Sequence, residues 1–242
     1  MVPVSFTPFD FAGQDWTFAD ARALYWPCEQ ALLVADLHLE KASFFASHGQ
    51  MLPPYDSRET LERLALAIRA TGARRVFCLG DNFHDNAGIE RMEPHAAGML
   101  AALTRATDWV WVTGNHDPAL EGKPQIGGTV MDELAVGGVI LRHRARAGET
   151  APELSGHYHP RLRVELKGRR IARPCVVIAA NDAAGASDQG GRMILPAFGS
   201  LTGGMDASAP EILDAMQPAA AIDALLPTAG RLARFPLWRP AA

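Results

Sequence analysis

Cysteine is scarce in this chain: three in 242 residues, Cys28, Cys78 and Cys175, far apart and without a CxxC pair. That spacing excludes a thiolate zinc site and a disulfide framework, and it fits a reduced compartment. Long apolar runs are missing too, none approaching the length of a membrane span. The opening MVPVSFTPFDFAGQDW lacks a basic leading segment and a continuous apolar stretch. No secretory signal is therefore expected, and the expected location is cytoplasmic. Excess positive charge is absent: 23 Lys and Arg against 27 Asp and Glu leave a formal −4. This excludes a surface that is basic all over but leaves room for a local basic groove. Apolar residues are plentiful at 48%, enough for a sizeable core in one domain covering residues 1–242.

Three segments share one design. QALLVADLHLE, RRVFCLGDNFHD and DWVWVTGNHDP each run from short apolar stretches into Asp, Asn or His. Such runs fit strands buried on both faces. Between the first two, PYDSRETLERLALAIRATG carries Leu61, Leu64, Ala65 and Ile68 at helical spacing, with Ser57 as N-cap and Gly72 as stop. Between the second and third, IERMEPHAAGMLAALTRAT reads as one helix with Pro94 near its start. After residue 127 strand-like runs dominate: GTVMDELAVGGVILRHRAR, RLRVELKGRRI, CVVIAA and RMILPAFGS. The stretch 181–191, NDAAGASDQGG, is expected to be a mobile loop. PEILDAMQPAAAIDALL is expected to be helical, interrupted at Pro218. Strand-helix alternation followed by a strand-rich half predicts an α/β fold of two sheets packed face to face, with helices outside.

Six of the eight histidines stand at or beside expected strand ends: His38, His84, His116, His143, His157 and His159. Asp36, Asp81, Asn115 and Asp117 accompany them. Asp36 and His38 are one residue apart, so on an extended strand both would face the same way and could grip one ion. His157 and His159 repeat that spacing around Tyr158. Gly80, Gly114 and Gly156 precede candidate ligands, where the chain must turn sharply. Singly these features are weak, since a lone DxH is usually a capping Asp and a surface His. His48 and His95 have no such context and are read as a helix-end loop and a helix surface. The ordered set of ADLH, GDNFH, GNHD, a strand ending in His143, and GHYH outweighs the plainer reading. In RHRAR, strand alternation would set Arg142, Arg144 and Arg146 opposite His143.

These motifs, from residue 36 to 159, resemble those of the calcineurin-like binuclear metallophosphoesterases: DxH, GDxxD, GNHD/E, a lone His and GHxH. ADLHLEKASFFASHGQMLPPYDSRETL, GDNFHD, SGHYHP and LPAFGSLTGG are similar to one branch, the bacterial ligase-associated, DNA-damage-response metallophosphoesterases. The resemblance implies a four-layer α/β/β/α sandwich of two mixed sheets flanked by helices. It implies one metal at Asp36, His38, Asp81 and His159 and a second at Asp81, Asn115, His143 and His157. Asp81 would then bridge, as a carboxylate can and an imidazole cannot. Two divalent cations would activate a bridging hydroxide; manganese is expected, with iron or zinc also suited to an O/N donor set. His116 is implied to act on the phosphate; Asp117 is read as holding the local turn or supporting a ligand from behind, not as a ligand itself. His84 departs from the superfamily pattern, which has Asp there, and Asp85 stands where Arg is usual. A histidine could donate to a second ester substituent, so His84 is expected to favour phosphodiesters.

Residues 142–173 hold nine Lys and Arg and three Asp and Glu, a local +6 (9 − 3) in a chain of −4. A phosphodiester backbone favours such a lip, although solvated arginines alone would give the same count. Tyr158, Phe83, Phe44 and Phe45 could stack on bases or simply pack. The expected function is a metal-dependent phosphodiesterase, a DNA endonuclease preferring single strands, in repair. The branch resemblance also implies a functional link to an ATP-dependent DNA ligase and a helicase. The alternative is a phosphohydrolase of cyclic nucleotides, nucleotide anhydrides or monoesters. A non-catalytic scaffold on the same fold ranks last, since all seven candidate ligands are present.

Overall fold

The computed structural model describes residues 6–117, 126–166, 168–181, 191–228 and 230–240. Residues 182–190, most of the loop expected to be mobile, lie outside the described residues. A first sheet runs β1 (Phe6–Phe11), β2 (Gln14–Ala19), β3 (Leu24–Trp26), β4 (Ala31–Val34), β5 (Arg75–Leu79), β6 (Asp108–Val112) and β7 (Thr129–Met131). It is antiparallel as far as β4 and parallel from β4 to β7. The three expected strand segments supply β4, β5 and β6. Alternate side chains explain why these strands read as continuous apolar runs. Leu33, Phe77, Leu79, Val110 and Val112 enter the core between the two sheets. Leu32, Val34, Val76, Cys78, Trp109 and Trp111 enter the core under the helices. Each fully buried Leu or Phe contributes about 2 kcal/mol.

The second sheet has the order β16 (Arg231–Trp238), β15 (Ala221–Thr228), β13 (Val176–Ala180), β14 (Gly191–Ile194), β10 (Glu153–Ser155), β9 (Val139–Arg142) and β8 (Glu133–Val136). It is mixed, β10 being parallel to both β9 and β14 and the other pairs antiparallel. β11 (Arg161–Leu166) and β12 (Arg169–Pro174) form a separate two-stranded ribbon. Helices α1 (Lys41–Ser47), α2 (Asp56–Thr71), α3 (Gly88–Arg91) and α4 (Pro94–Ala106) precede β6 in the chain, and α2 and α4 pack on the first sheet. Short α5 (Pro210–Ala215) packs on the outer face of the second. The order helix, sheet, sheet, helix is the expected four-layer arrangement, with one thin outer layer.

Three local expectations change. Ser57 does not cap α2; the N-cap is Tyr55, and the Ser57 hydroxyl donates to Glu40 Oε1 at 2.7 Å while accepting the Glu40 N–H at 2.8 Å. Gly72 does stop that helix, in the left-handed region at φ 68°. The segment 89–107 divides into α3 and α4, because Met92 and Glu93 are extended ahead of Pro94, as a residue before proline prefers. Glu93 caps α4 by accepting the N–H groups of His95 and Ala96. Past Pro218 the chain is not helix but β15, held between β13 and β16 with Ile222 and Ala224 on one face and Leu225 on the other. An alanine-rich run with apolar residues at both spacings is decided by its neighbours, not by propensity.

One charged group is central to the second sheet. Arg192 of β14 is fully buried and donates to the carbonyls of Ala215 (2.9 Å), Arg146 (3.1 Å) and Pro218 (3.3 Å), tying α5 and its exit to the sheet. Arg192→Met leaves those carbonyls without a donor, and a loss of about 3 kcal/mol in urea unfolding is expected.

Candidate metal centre

Each expected site residue lies just beyond the carboxyl end of a strand. Asp36 and His38 follow β4, Asp81 and His84 follow β5, and Asn115 and His116 follow β6. From the second sheet, His143 follows β9, and His157 and His159 follow β10. Strand ends leave backbone unpaired and side chains convergent, which is where α/β sheets bind ligands.

Two donor groups result. Asp36, His38, Asp81 and His159 bring one ligand atom each within 4.8 Å of one another, and so do Asp81, His143 and His157. Asp81 belongs to both, and its two oxygens face different ways. Oδ2 lies 3.8 Å from His38 Nε2, whereas Oδ1 lies 3.5 Å from His143 Nε2. His38 Nε2 and His159 Nε2 are 3.2 Å apart; His157 Nδ1 and His143 Nε2 are 3.0 Å apart. The Asn115 amide stands 3.2 Å from His157 Nδ1, so the seventh expected ligand adjoins the second group. His143 Nδ1 is 3.1 Å from the Leu79 carbonyl, which can only accept, so Nδ1 carries a proton toward it and Nε2 is the atom turned to Asp81 and His157.

These donors do not stand on extended strands. β4 ends at Val34, and Asp36 (φ 53°) and His38 (φ 44°) are left-handed; so are Asp81 (φ 44°), His157 (φ 75°) and His159 (φ 49°). Five of the nine non-glycine residues with positive φ among those described are thus candidate ligands, a concentration of backbone cost at the site. Asp36 and His38 share a face because every second residue is left-handed, not because of a strand's pleat. Hydrogen bonds hold the turn: Asp36 N–H to Gly80 C=O (3.1 Å), His38 N–H to Asp81 C=O (2.9 Å) and Leu39 N–H to Asn82 C=O (2.9 Å).

All three motif glycines leave room for a neighbour, and one also supplies a left-handed turn. Gly80 has φ 76°, the freedom expected of it, and it also lacks room, since a Cβ there would fall 2.2 Å from His143 Nδ1. Gly114 and Gly156 have no positive φ; they are glycine for room. A Cβ on Gly114 would fall 2.5 Å from Asp81 Oδ1, and one on Gly156 would fall 2.7 Å from Asp36 Oδ2.

The donor chemistry fits cations. Asp36 and Asp81 are buried, and among the described residues every ion-pair partner of either is a histidine, never Lys or Arg. Burial, with His159 next, pushes His38 down to about 2; burial, with His143 next, pushes His157 down to about 4. Those rings are neutral lone-pair donors at neutral pH. Imidazoles crowded within 3.2 Å around carboxylates that have no Lys or Arg partner suit divalent cations with oxygen and nitrogen ligands.

Surrounding residues sort by contact. Asp117, with its side chain buried, accepts from the backbone N–H groups of Asn82 (3.0 Å), Phe83 (3.1 Å) and Gly114 (3.0 Å) and from Asn82 Nδ2 (2.8 Å), binding the GDNF turn to the GNHD turn. Asn82, fully buried and also donating to Val112 C=O at 2.9 Å, has a part that the sequence reading missed. Its position inside GDNF was the only signal. His116 gives its N–H to Asp81 Oδ1 at 3.1 Å and keeps a side chain 44% exposed, able to meet a substrate. The His84 ring stacks on His116 at 5.6 Å, with Phe44 at 4.7 Å and Phe45 at 5.8 Å. Asp85 pairs with Arg91 through both oxygens, away from the donor groups. Phe83 and Tyr158 are buried packing residues. Arg142 does not share the exposure of Arg144 and Arg146: it is buried and pairs with Glu153 at 3.1 Å. His48 at the end of α1 and His95 on α4 are exposed, as expected.

A family model for calcineurin-like phosphoesterases matches residues 30–160, more than half of the chain. The chain belongs to that family. Its fold is similar to the crystal structure of the Pseudomonas putida nuclease MPE at 29% identity and TM-score 0.68, covering 95% of this chain and 100% of that one. YfcE, a phosphoesterase from E. coli, aligns at 14% identity and TM-score 0.40 over 72% of this chain and 83% of its own, too slight a likeness to argue from. No curated protein matches the chain. As a calcineurin-like phosphoesterase with a His/Asp donor cluster, it is a metal-dependent hydrolase.

Asp117→Asn cannot accept from all four N–H donors. Expected outcomes are a loss of about 2 kcal/mol in stability and at least about tenfold weaker metal retention on dialysis, read by elemental analysis.

Proposed function

We propose that this phosphoesterase is a binuclear nuclease: a phosphodiesterase that cuts DNA, with preference for single strands. The observation that carries this reading is the openness of the site. His157 and His159 line an open cleft walled by Arg144, Tyr158, Gly204, Met205 and Glu211, a shape suited to a continuing strand. A phosphohydrolase of cyclic nucleotides, anhydrides or monoesters would be better served by an enclosed pocket. The ribbon of β11 and β12 begins two residues after His159 and carries exposed Arg163, Arg169, Arg170 and Arg173, a local cationic surface for a phosphate backbone. The likeness to a protein named as a nuclease points the same way.

In this reading Asp36, His38, Asp81 and His159 hold one cation, and Asp81, Asn115, His143 and His157 a second, with manganese the expected ion. Bound divalent cations would supply a nucleophile at neutral pH and neutralise charge on the phosphoryl oxygens. The chain's own residues do the rest. His116, exposed beside Asp81, stabilises the phosphoryl oxygens or gives a proton to the leaving oxygen. Burial, then the Lys41 and His116 charges, hold His84 below its ordinary pKa, so it meets the ester as a neutral donor. Its Nδ1 is enclosed without a partner, leaving Nε2 for the substrate. A neutral donor suits an ester oxygen bearing a second substituent better than a carboxylate would. The catalytic unit is the whole chain as one domain. Its place in DNA repair, linked in function to an ATP-dependent DNA ligase and a helicase, follows from the similarity of its motifs to the ligase-associated branch, and a cytoplasmic location from its three scattered cysteines.

The test is hydrolysis of single-stranded DNA beside bis-aryl and mono-aryl phosphates with manganese added. Asp81→Ala is expected to bring all three to background; activity that survives it would remove the shared-carboxylate arrangement. His84→Asp is expected to lower the diester-to-monoester ratio about tenfold, the worth of one hydrogen bond to a charged group. An unchanged ratio would end the role given to His84 and leave the metal centre standing.

A further inference from the structure

The loop FGSLTGG, residues 198–204, supplies no donor to either group, yet it is fastened onto them. Phe198 gives its N–H to Ala35 C=O at 2.8 Å, and Gly199 gives its own to Asp36 C=O at 3.2 Å. A Cβ on Gly199 would lie 2.2 Å from the Leu37 carbonyl oxygen, so this backbone can approach the DLH turn only as glycine.

Two arginines reach this loop from distant parts of the chain. Arg22, between β2 and β3, donates Nη1 to Gly199 C=O at 3.2 Å. Arg161 opens the ribbon at β11 and lies across Gly204, where a Cβ would come within 2.5 Å of the arginine's Cδ. Its backbone is anchored to the tail through Met205 C=O at 2.8 Å and the Ala207 N–H at 3.0 Å, and its Nη2 donates to Ala172 C=O at 3.4 Å. Between them runs a tight crease lined by Arg22, Arg161, Thr202, Gly203 and His159; it encloses no room for a bound group, so an anion would sit at its mouth. One wall of the crease is therefore a candidate metal ligand.

The charges there are not balanced within the protein. Among the described residues neither Arg22 nor Arg161 has a carboxylate within 4.0 Å, and Asp20 at that corner faces Arg63 at 3.8 Å. Burial, with Arg63 and Arg161 beside it, depresses the Arg22 pKa, and Asp20 and Glu59 only partly offset this. A guanidinium stays charged all the same. Two guanidiniums of one sign, that of Arg22 partly buried and that of Arg161 exposed, held by backbone carbonyls, are set for an anion from outside. Their planar forks match phosphate oxygens in pairs.

We propose that Arg22 and Arg161 form a subsite for a phosphate of the polynucleotide strand neighbouring the one being cut. This rests on the nuclease reading, and it assigns a purpose to the FGSLTGG loop: it fixes that subsite beside His159. A bis-aryl phosphate has no neighbouring phosphate and cannot use it; every internal linkage of a strand can.

The experiment compares kcat/KM for a single-stranded oligonucleotide and for bis-p-nitrophenyl phosphate in the manganese-loaded full chain and in Arg22→Gln, Arg161→Gln and the double variant. The expected result is a selective loss, the oligonucleotide-to-aryl ratio falling about tenfold for each single change, the size of one hydrogen bond to a charged group. In parallel, the salt dependence of oligonucleotide binding, followed by fluorescence anisotropy, should flatten by about 0.7 in log–log slope per lost phosphate contact. Arg22→Lys and Arg161→Lys should recover part of the slope but less of the ratio, because a point charge lacks the fork. Equal losses on both substrates with an unchanged slope would overturn the subsite and leave the nuclease reading intact. A wild-type chain that hydrolyses the aryl diester but neither binds nor cuts the oligonucleotide would overturn the nuclease reading, and the subsite with it.

Discussion

The carboxylate of Asp81 is the constraint around which the rest of this site is arranged. It is buried, faces histidines on both sides, and has no lysine or arginine partner among the described residues. A lone anion in that position is costly unless cations are supplied. Much of the surrounding architecture serves to keep it aimed. Gly114 gives up its side chain so that the GNHD turn can close over Asp81, and the His116 N–H donates to Oδ1. Asp117 takes four N–H groups so that the two turns carrying these residues cannot separate.

Much of this was legible in the residue order, for a physical reason. Strands buried on two faces must be apolar throughout, so β4, β5 and β6 announced themselves, and polar residues straight after them had to lie at the strand ends. The seven candidate ligands could be singled out because the motif order resembles that of a family whose metal ligands fall at those positions. Their geometry was less legible. The DxH spacing was right about shared facing and wrong about its cause, since left-handed φ values at Asp36 and His38 leave no mark on side-chain identity. All three motif glycines are required by sterics across the fold, which no local pattern encodes.

Other parts were hidden because their partners are distant. β15 reads as a broken helix until β13 and β16 are set on either side of it. The strands β1 to β3 carry no punctuation of the kind that marked β4 to β6. Ser57 looked like a cap by its position before a periodic segment, but its hydroxyl is engaged by Glu40, seventeen residues earlier. Arg142 counted toward a basic surface and is instead committed to Glu153 inside the second sheet. Charge counting along a chain overstates a groove whenever one of its arginines is buried.

The two sheets contribute to both donor groups. Asp36, His38 and Asp81 come from the first sheet and His159 from the second; Asp81 from the first meets His143 and His157 from the second. Each cation held there would therefore be a rivet through the seam between the layers. Whatever binds only the assembled seam also stabilises it by mass action. The affinity of this protein for its metal and the grip of one sheet on the other are then a single quantity seen from two ends, and a substitution far from any ligand that loosens the seam would register first as a protein that loses its ions.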